Sequence, residues 1–436
     1  MISLSPQQGQ AVQTVVSCIK NEQPVTYLAG YAGTGKSTIL PFIIDDLGYN
    51  LNDVAFVAPT GKAAKVMRTK LRAVYSGATA STIHSAIYRA KPAPVSHLEA
   101  QLDKEKADFE EARNQGASRD TLAKLMKMIK RLELELTEAY REEKLHFQLN
   151  PDAAIGMARL IVCDEASMVG DMTTEDLSTF GVPILAMGDP GQLQPIEQKP
   201  GLTAGKPDFQ LTEVHRQAHD NPILHVATLA REGKDIPFGK YGDTVEVIRR
   251  REENLIYDRD TLPKFIAGTN KTRWKINQVL REEFGLVERA GDRVGPQAGE
   301  PLIVCKNHRE YPDLPNGSEC VATSSADLYK GDTSIRLSFE DEEGHTYADR
   351  KVFQGLFEEH FSRKPGGYTA TDREAFRARK ATLNMDWGYC ITCHKSQGSE
   401  YSDVVVIDES SVFREDADRW LYTATTRASQ TLKILV

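Results

Sequence analysis

The segment that most constrains this chain is GYAGTGKST at 30–38, which follows a short apolar run from Val25 to Leu28 and precedes another from Ile39 to Leu47. Strand, glycine-rich turn and helix, in that order, are the setting in which GxxxxGK[ST] has a physical meaning. Gly30, Gly33 and Gly35 let the backbone turn its N–H groups inward around phosphate oxygens, and the helix opening near Lys36 adds its positive end. Lys36 can reach the β and γ phosphates, Ser37 offers a hydroxyl to magnesium, and Thr34 and Thr38 complete the cofactor-binding set. A ligand-free glycine turn would need neither the lysine nor the hydroxyl at these offsets. The chain is expected to bind ATP with magnesium.

Hydrolysis needs carboxylates opposite such a loop. The run ARLIVCDEAS at 158–167 reads as a buried parallel strand, Leu160 to Cys163, with Asp164 and Glu165 emerging at its C-terminal end. Asp164 is the candidate magnesium holder and Glu165 the candidate base for the attacking water; the alternative is an ordinary strand end with two solvated acids. Val54 to Val57, Pro183 to Met187 and Val404 to Ile407 are further apolar runs that end in small or polar residues. Their wide separation predicts two parallel sheets covered by helices.

Composition narrows the class. The chain has 436 residues, 40% apolar and 27% charged, enough for several globular domains. No run approaches the roughly 18–20 uncharged apolar residues of a membrane span. MISLSPQQGQ has neither a basic start nor an apolar segment, so a cytoplasmic location is expected, in a host cytoplasm if the chain is phage-encoded. Six scattered cysteines make no disulfide framework, and Cys390 with Cys393 is a lone CxxC without the second pair that zinc needs. The net charge of −8 excludes a chain that is basic all over, yet leaves room for a local phosphate-binding groove.

Taken in order, LSPQQ at 4–8, GYAGTGKST, APTGKAAK at 58–65, STIHS at 81–85, DEASM at 164–168 and GDPGQLQP at 188–195 are joined by LTEVHRQ at 211–217, TNKTRWKIN at 269–277, TCHKSQGSEY at 392–401 and LYTATTRA at 421–428. This series resembles the RecD-like group of superfamily 1 helicases. The resemblance implies an α/β fold of two RecA-like P-loop cores, and an adenine contact for Gln8. It also implies that Arg216 and Arg427 come from the second core to stabilise charge at the γ phosphate, where such an arginine is worth about 10³–10⁵ in rate. A surface salt bridge is the plain alternative for each. Gln192 resembles the family's coupling block, against a merely turn-stabilising glutamine, and Gln397 and Gly398 are expected to line the same cleft.

A strand held across two cores needs hydroxyls, amides and a few basic groups. Thr60, Lys62, Thr82, His84, Thr392 and Lys395 are candidates for DNA contact, with His394 undecided between DNA and nucleotide, and His84 equally readable as a core histidine. Asn270 and Arg273 resemble additional family contacts. The cores are expected at 1–88 with 150–202, and at 203–295 with 386–436. Between them, 89–149 carries two helical stripes, Leu98, Leu102, Phe109 and Ala112, then Leu122, Leu125, Ile129, Leu132, Leu136 and Ala139, broken at NQGAS and flanked by the short extended runs IYRA and LHFQL. That is a helical hairpin where the family carries a β-hairpin pin. Residues 296–385 alternate in short apolar runs split by Asn-Gly and Gly-Asp, which predicts a small antiparallel barrel resembling the family's SH3-like subdomain; 368–384 is a polar return segment without an assigned role.

The expected function is ATP-driven translocation on single-stranded DNA, 5′ to 3′ by resemblance alone, with duplex unwinding at single-strand/double-strand junctions. A nucleic-acid-dependent ATPase that remodels without unwinding is the alternative, and a metabolic kinase a weaker one. Single-strand-binding or replication proteins are candidate partners, and a monomer is the expected functional form.

Overall fold

The computed structural model describes residues 4–90, 94–142, 147–195, 198–213, 221–252, 257–286, 294–308, 310–368 and 372–436. Arg216, and the end of its LTEVHRQ block, lie outside the described residues. The chain forms two compact units, one of Met1–Ala86 with Ala154–Val436 and one of Ile87–Ala153.

The larger unit holds two sheets of the RecA type. The first runs in the order Ser81–Thr82, Val54–Ala58, Leu160–Cys163, Ile184–Gly188, Val25–Gly30, Phe209–Leu211, with every pairing parallel. Leu160–Cys163 and Ile184–Gly188 are buried throughout, which is why they read as unbroken apolar runs. Helices Pro6–Lys20 and Lys36–Leu47 seal this sheet with Val12, Val15, Ile39 and Ile43. The strand order sets three C-terminal ends side by side, so the glycine loop, GDPGQLQP and the acid pair open onto one edge.

The second sheet runs Cys390–Thr392, Lys264–Ala267, Tyr401–Ile407, Ala428–Leu435, Val245–Ile248, Gly239–Tyr241, parallel except for its last strand. A third sheet is antiparallel, in the order Thr346–Phe353, Ser334–Asp341, Glu319–Ala322, Pro301–Val304, Met385–Trp387. Ser334–Asp341 alternates inward and outward along its length, and Gly317 and Gly331 take the positive φ values, 92° and 93°, that the Asn-Gly and preceding turns require. The sheet returns on itself: Phe353 N–H donates to the Leu383 carbonyl at 2.7 Å, and Leu383 N–H to Lys351 at 3.1 Å. The return segment carries helix Asp372–Ala381, and helix Gly355–Ser362 precedes it. Sequence analysis left both unassigned, because Glu358, Glu359 and His360 look solvent-facing and are in fact buried.

The second and third sheets share one apolar core, in which Phe265, Ile276 and Leu280 pack with Leu302, Leu337 and Trp387. At its centre the fully buried Glu300 accepts from Arg281 Nε at 2.7 Å, Arg281 Nη2 at 3.3 Å, Gln297 N–H at 2.7 Å, Trp387 Nε1 at 3.3 Å and Tyr389 OH at 3.1 Å.

The smaller unit is a helical hairpin on a two-strand stem. Tyr88–Ala90 pairs antiparallel with Phe147–Leu149, and helices Pro94–Asn114 and Arg119–Glu142 follow each other across a turn. Gly116 has φ 71°, and Ala117 N–H closes the first helix on the Ala112 carbonyl at 3.0 Å. Ser118 Oγ accepts Thr121 N–H at 3.2 Å to open the second helix. Leu102, Ile129 and Leu136 are buried against each other, flanked by Leu98, Phe109 and Leu132. The Ala139 side chain of the expected stripe lies outside the described residues.

The Glu300 arrangement carries a stability prediction. Glu300→Ala leaves the fully buried Arg281 guanidinium without its counter-ion, so the unfolding free energy should fall by about 3–5 kcal/mol, as measured by urea denaturation. A loss within experimental error would show that Arg281 is satisfied without Glu300.

Candidate active site

The glycine loop is shaped by its own steric limits. Gly33 and Gly35 take φ of 77° and 81°, and a Cβ on Gly30 would lie 2.7 Å from Thr34 Oγ1 and 2.9 Å from Lys36 Cγ. Thr34 is buried and donates to the Tyr31 carbonyl at 2.8 Å. Lys36 Nζ donates to the Gly30 carbonyl and, at 3.3 Å, to Tyr31, so the amine lies across the loop. Ser37 and Thr38 are half-buried in the first turn of the following helix. Gln8 is buried against this loop: its Nε2 donates to the Thr34 carbonyl at 3.3 Å, while its Oε1 accepts Ser5 N–H at 3.1 Å and completes the cap of helix Pro6–Lys20.

Opposite stand the two acids. Asp164 Oδ1 accepts Glu165 N–H at 3.0 Å, and Glu165 sits at φ 52°, a left-handed conformation that costs a non-glycine residue on the order of 1–3 kcal/mol. Desolvation and the Asp164 charge push the Glu165 carboxyl up, against the opposing pull of Arg427 and Lys36. Charges from the glycine loop and from the second core therefore act on one carboxylate. The Ser37 hydroxyl and Asp164 are hard oxygen donors of the kind that hold magnesium together with waters and substrate phosphates. Among the described residues no three or more His, Cys, Asp or Glu cluster to cage a metal on their own.

Arg427 is 5% exposed and donates to Thr423 O at 3.0 Å, Ser399 O at 3.0 Å and Thr426 Oγ1 at 3.1 Å, which fixes its guanidinium at the end of helix Ala417–Thr425. Gln192 is buried, and its Oε1 has no hydrogen-bond partner. Such an orphaned acceptor suits a water or another donor brought in by a ligand. Four residues here went unmarked in the sequence: Asp189, Tyr422, Thr423 and Arg231. Tyr422 and Thr423 fall inside LYTATTRA and Asp189 inside GDPGQLQP, so the blocks contained the signal; Arg231 ends helix Pro222–Arg231, which no motif announced.

Gln397 Nε2 donates to the Leu193 carbonyl at 3.3 Å, and Gly398, at φ 75°, abuts Ala63, where a Cβ would lie 3.1 Å away. Gln397 also lines a cavity of about 280 Å³ with Pro59, His84, Met168, Gln194 and His394. Burial lowers the His394 imidazole pKa, and the ring packs 5.6 Å from Phe413.

The candidate strand contacts divide into two groups. Thr60 caps helix Gly61–Arg72, accepting Ala63 N–H at 3.2 Å, Thr82 Oγ1 accepts Ser85 N–H at 3.1 Å, and Thr392 leads into Cys393–Ser396. All three stand at the ends of parallel strands. Asn270 is exposed at the start of helix Asn270–Glu283. Lys62, Arg273 and Lys395 form the second group, each engaged by a partner within the protein. Arg273 is 4% exposed and paired with Asp386 at 2.5 Å, which turns it into the core. Lys395 Nζ lies 3.1 Å from Cys305 Sγ. Lys62 is held by Glu319 at 2.7 Å and Glu342 at 3.3 Å. Glu409 likewise accepts from Gly268 N–H at 2.8 Å, Thr269 N–H at 2.9 Å and Thr272 OH at 2.6 Å, donors that would equally suit a phosphate.

Glu319 also accepts from Lys264 at 2.8 Å and from Tyr401 OH at 2.7 Å. Burial alone would push its carboxyl up, but Lys264 and Lys62 hold it at about 2. This lies below an unfolded glutamate, about 4.3, so the stabilisation is complete above that pH and is lost as pH falls toward 2. Glu319→Gln should cost on the order of 2–3 kcal/mol at pH 7, with the gap to wild type closing as pH drops from about 4.3 to about 2 in thermal denaturation. A gap that stays constant with pH would contradict the ionic origin of this contact.

A family model described as an AAA domain matches residues 3–251, and one described as a UvrD-like helicase C-terminal domain matches 388–435. The chain is 28% identical over 305 residues to the ATP-dependent DNA helicase dda of Enterobacteria phage T4, covering 64% of this chain and 57% of that protein. It is 25% identical over 412 residues to the ATP-dependent RecD2 DNA helicase of Deinococcus radiodurans, covering 92% of this chain and 45% of that one. The chain thus spans about half the length of the curated relatives it matches. The Pif1 helicase of Candida albicans aligns with TM-score 0.50 at 19% identity, over 100% of this chain and 95% of that one. Pif1 from Bacteroides, solved with ADP-AlF3 and ssDNA, aligns with TM-score 0.50 at 14% identity, over 100% and 92%. These last two establish likeness of fold. With the first family model spanning more than half of the chain and taking in the glycine loop, the acid pair and GDPGQLQP on one sheet edge, the chain belongs to the AAA-domain family.

Proposed function

We propose that this chain is an ATP-driven DNA helicase of the RecD-like group, tracking 5′ to 3′ on single-stranded DNA and opening duplex at junctions. The observation that carries this reading is that the glycine loop with Lys36, the acid pair with Glu165 and GDPGQLQP end side by side on one sheet edge, while the other core holds the buried Arg427 guanidinium fixed at the end of helix Ala417–Thr425. Glu165 takes the proton of the attacking water, and Lys36 exchanges its loop carbonyls for phosphate oxygens. Arg427, joined by Arg216, neutralises charge at the γ phosphate. Bound magnesium would supply further charge neutralisation, with Ser37 and Asp164 as its holders.

Because base and arginine belong to different cores, the reaction is coupled to their closure. Thr60, Thr82 and His84 on the first core, with Asn270, Thr392 and His394 on the second, give each core its own grip on a strand, so closure shortens the distance between grips. The order of the blocks, with the dda and RecD2 likenesses, supports the group, and the polarity is taken from the resemblance to that group. The first core is taken as 1–88 with 150–202, and the second as 203–295 with 386–436. The curled sheet within 296–385 is read as SH3-like, and the hairpin within 89–149 as standing in the position of the pin. The proposed form is a monomer, with single-strand-binding or replication proteins as partners.

Glu165→Gln should keep ATP affinity and lose turnover by two or more powers of ten, on the order expected for a missing general base. In the wild type kcat should fall on the acid side, at a pH above that of an ordinary glutamate, since the carboxyl must be ionised to act. Lys36→Ala should abolish both ATPase and unwinding. A labelled strand released from a 5′-overhang duplex and not from a 3′-overhang duplex supports the polarity. Strand-stimulated hydrolysis without strand release on either substrate would make the chain a remodelling ATPase instead.

A further inference from the structure

The second core bonds the backbone of the glycine loop through the hydroxyl of Tyr422. Tyr422, 2% exposed, accepts Ala32 N–H at 3.0 Å and donates to Asp189 Oδ2 at 2.7 Å. Asp189, 1% exposed, holds Gly191 N–H on its other oxygen at 2.9 Å, and its carbonyl accepts Gln192 N–H at 3.1 Å. Thr423 Oγ1 then accepts Leu193 N–H at 2.9 Å, and Gln397 donates to the Leu193 carbonyl at 3.3 Å. Residues 189–193 are therefore held by the second core at three points. Gly191 lies flat against the phenol ring, with room for no side chain, since a Cβ would sit 2.9 Å from Tyr422 Cε1. Arg231 covers the junction, its guanidinium 3.6 Å from the Tyr31 ring centre and 5.9 Å from that of Tyr422. The next residue, Gln194, lines the cavity of His84 and His394.

We propose that Tyr422 is a positioning residue that couples the glycine loop to segment 189–195, and through it to the strand-facing cavity. The inference rests on the function proposed above and adds the route by which the two ligand sites sense each other. A phenol has a single proton: while it is given to Asp189, an oxygen lone pair remains for Ala32 N–H. Tyr422 and Asp189 are both buried, so a displacement of Ala32 on phosphate binding either draws the phenol, and Asp189 with it, or gives up the bond from the half-buried Ala32 N–H. Asp189 passes the displacement on through Gly191 and Gln192, and the ring behind Gly191 prevents the segment from slackening. Ring packing and hydroxyl bridging are separable, because phenylalanine retains the first and lacks the second.

The test is a coupling measurement on the full 436-residue chain. Fluorescein-labelled oligo(dT) is titrated by anisotropy with and without saturating magnesium AMP-PNP, and the ratio of the two affinities is the coupling factor. The wild type should show a factor of about tenfold or more, and Tyr422→Phe and Asp189→Asn should each bring it within about twofold of unity. Oligonucleotide affinity without nucleotide, and the thermal midpoint, should stay near wild type, which a merely structural role would not allow. An undiminished factor in the variants overturns the proposal. If Tyr422→Phe does not fold, Asp189→Asn alone decides, since it keeps the volume and the acceptor for Gly191. A wild type that fails to bind the oligonucleotide, or binds it with a factor of one, defeats the function reading itself and is recognised before any variant is made.

Discussion

Five hydrogen bonds converge on the Glu300 carboxylate, and their donors come from a helix of the second core, from the loop that opens the third sheet and from the strand that returns out of it. Withdrawn from water, this carboxylate cannot exchange one partner for solvent without leaving the Arg281 charge exposed to a low-dielectric surrounding. Arg273 with Asp386, and His360 on the other oxygen of Asp386 at 2.6 Å, repeat the arrangement nearby. The apolar side chains of both sheets interleave around these pairs. The second core and the third sheet are in consequence one mechanical body. Their contacts with the first core mix kinds: lysines on glutamates, a glycine under a proline, buried bonds from Tyr422, Thr423 and Gln397 to 189–193, and Leu193 packed among Ile223, Val226 and Trp420.

That contrast explains what could be read from the chain beforehand. The glycine loop was legible because its function demands backbone shapes that few residues allow, and the parallel strands because burial on both faces leaves no polar positions. The barrel-like segment announced itself through alternation in Ser334–Asp341 and its glycine turns. Buried charge was not legible. Arg273 looked like a strand contact because its partner, Asp386, lies 113 residues away, and nothing local marks the pairing. The partner of Lys62 was equally out of sight, since Glu319 comes from another sheet. Tyr422 stood inside a quoted block, yet an aromatic in a helix is ordinarily packing, and only the position of Asp189 reveals its hydroxyl as a bridge.

Two carboxylates, Glu319 and Glu409, occupy donors that have the chemistry of phosphate sites. A glutamate tethered by its own backbone is an internal competitor whose effective concentration does not change with dilution, whereas a strand must compete from solution. An anion that took Lys62 or the Gly268 and Thr269 N–H groups would have to displace a glutamate of the chain itself.

The hairpin raises a different point. Its apolar stripe is consumed between its own two helices, and its entry and exit are tied by a three-residue ladder, so the strands at its base stay about 4.8 Å apart whatever lies beyond them. Lengthening such an element by whole helical turns leaves its two-strand stem unchanged, because the added residues pair only with each other.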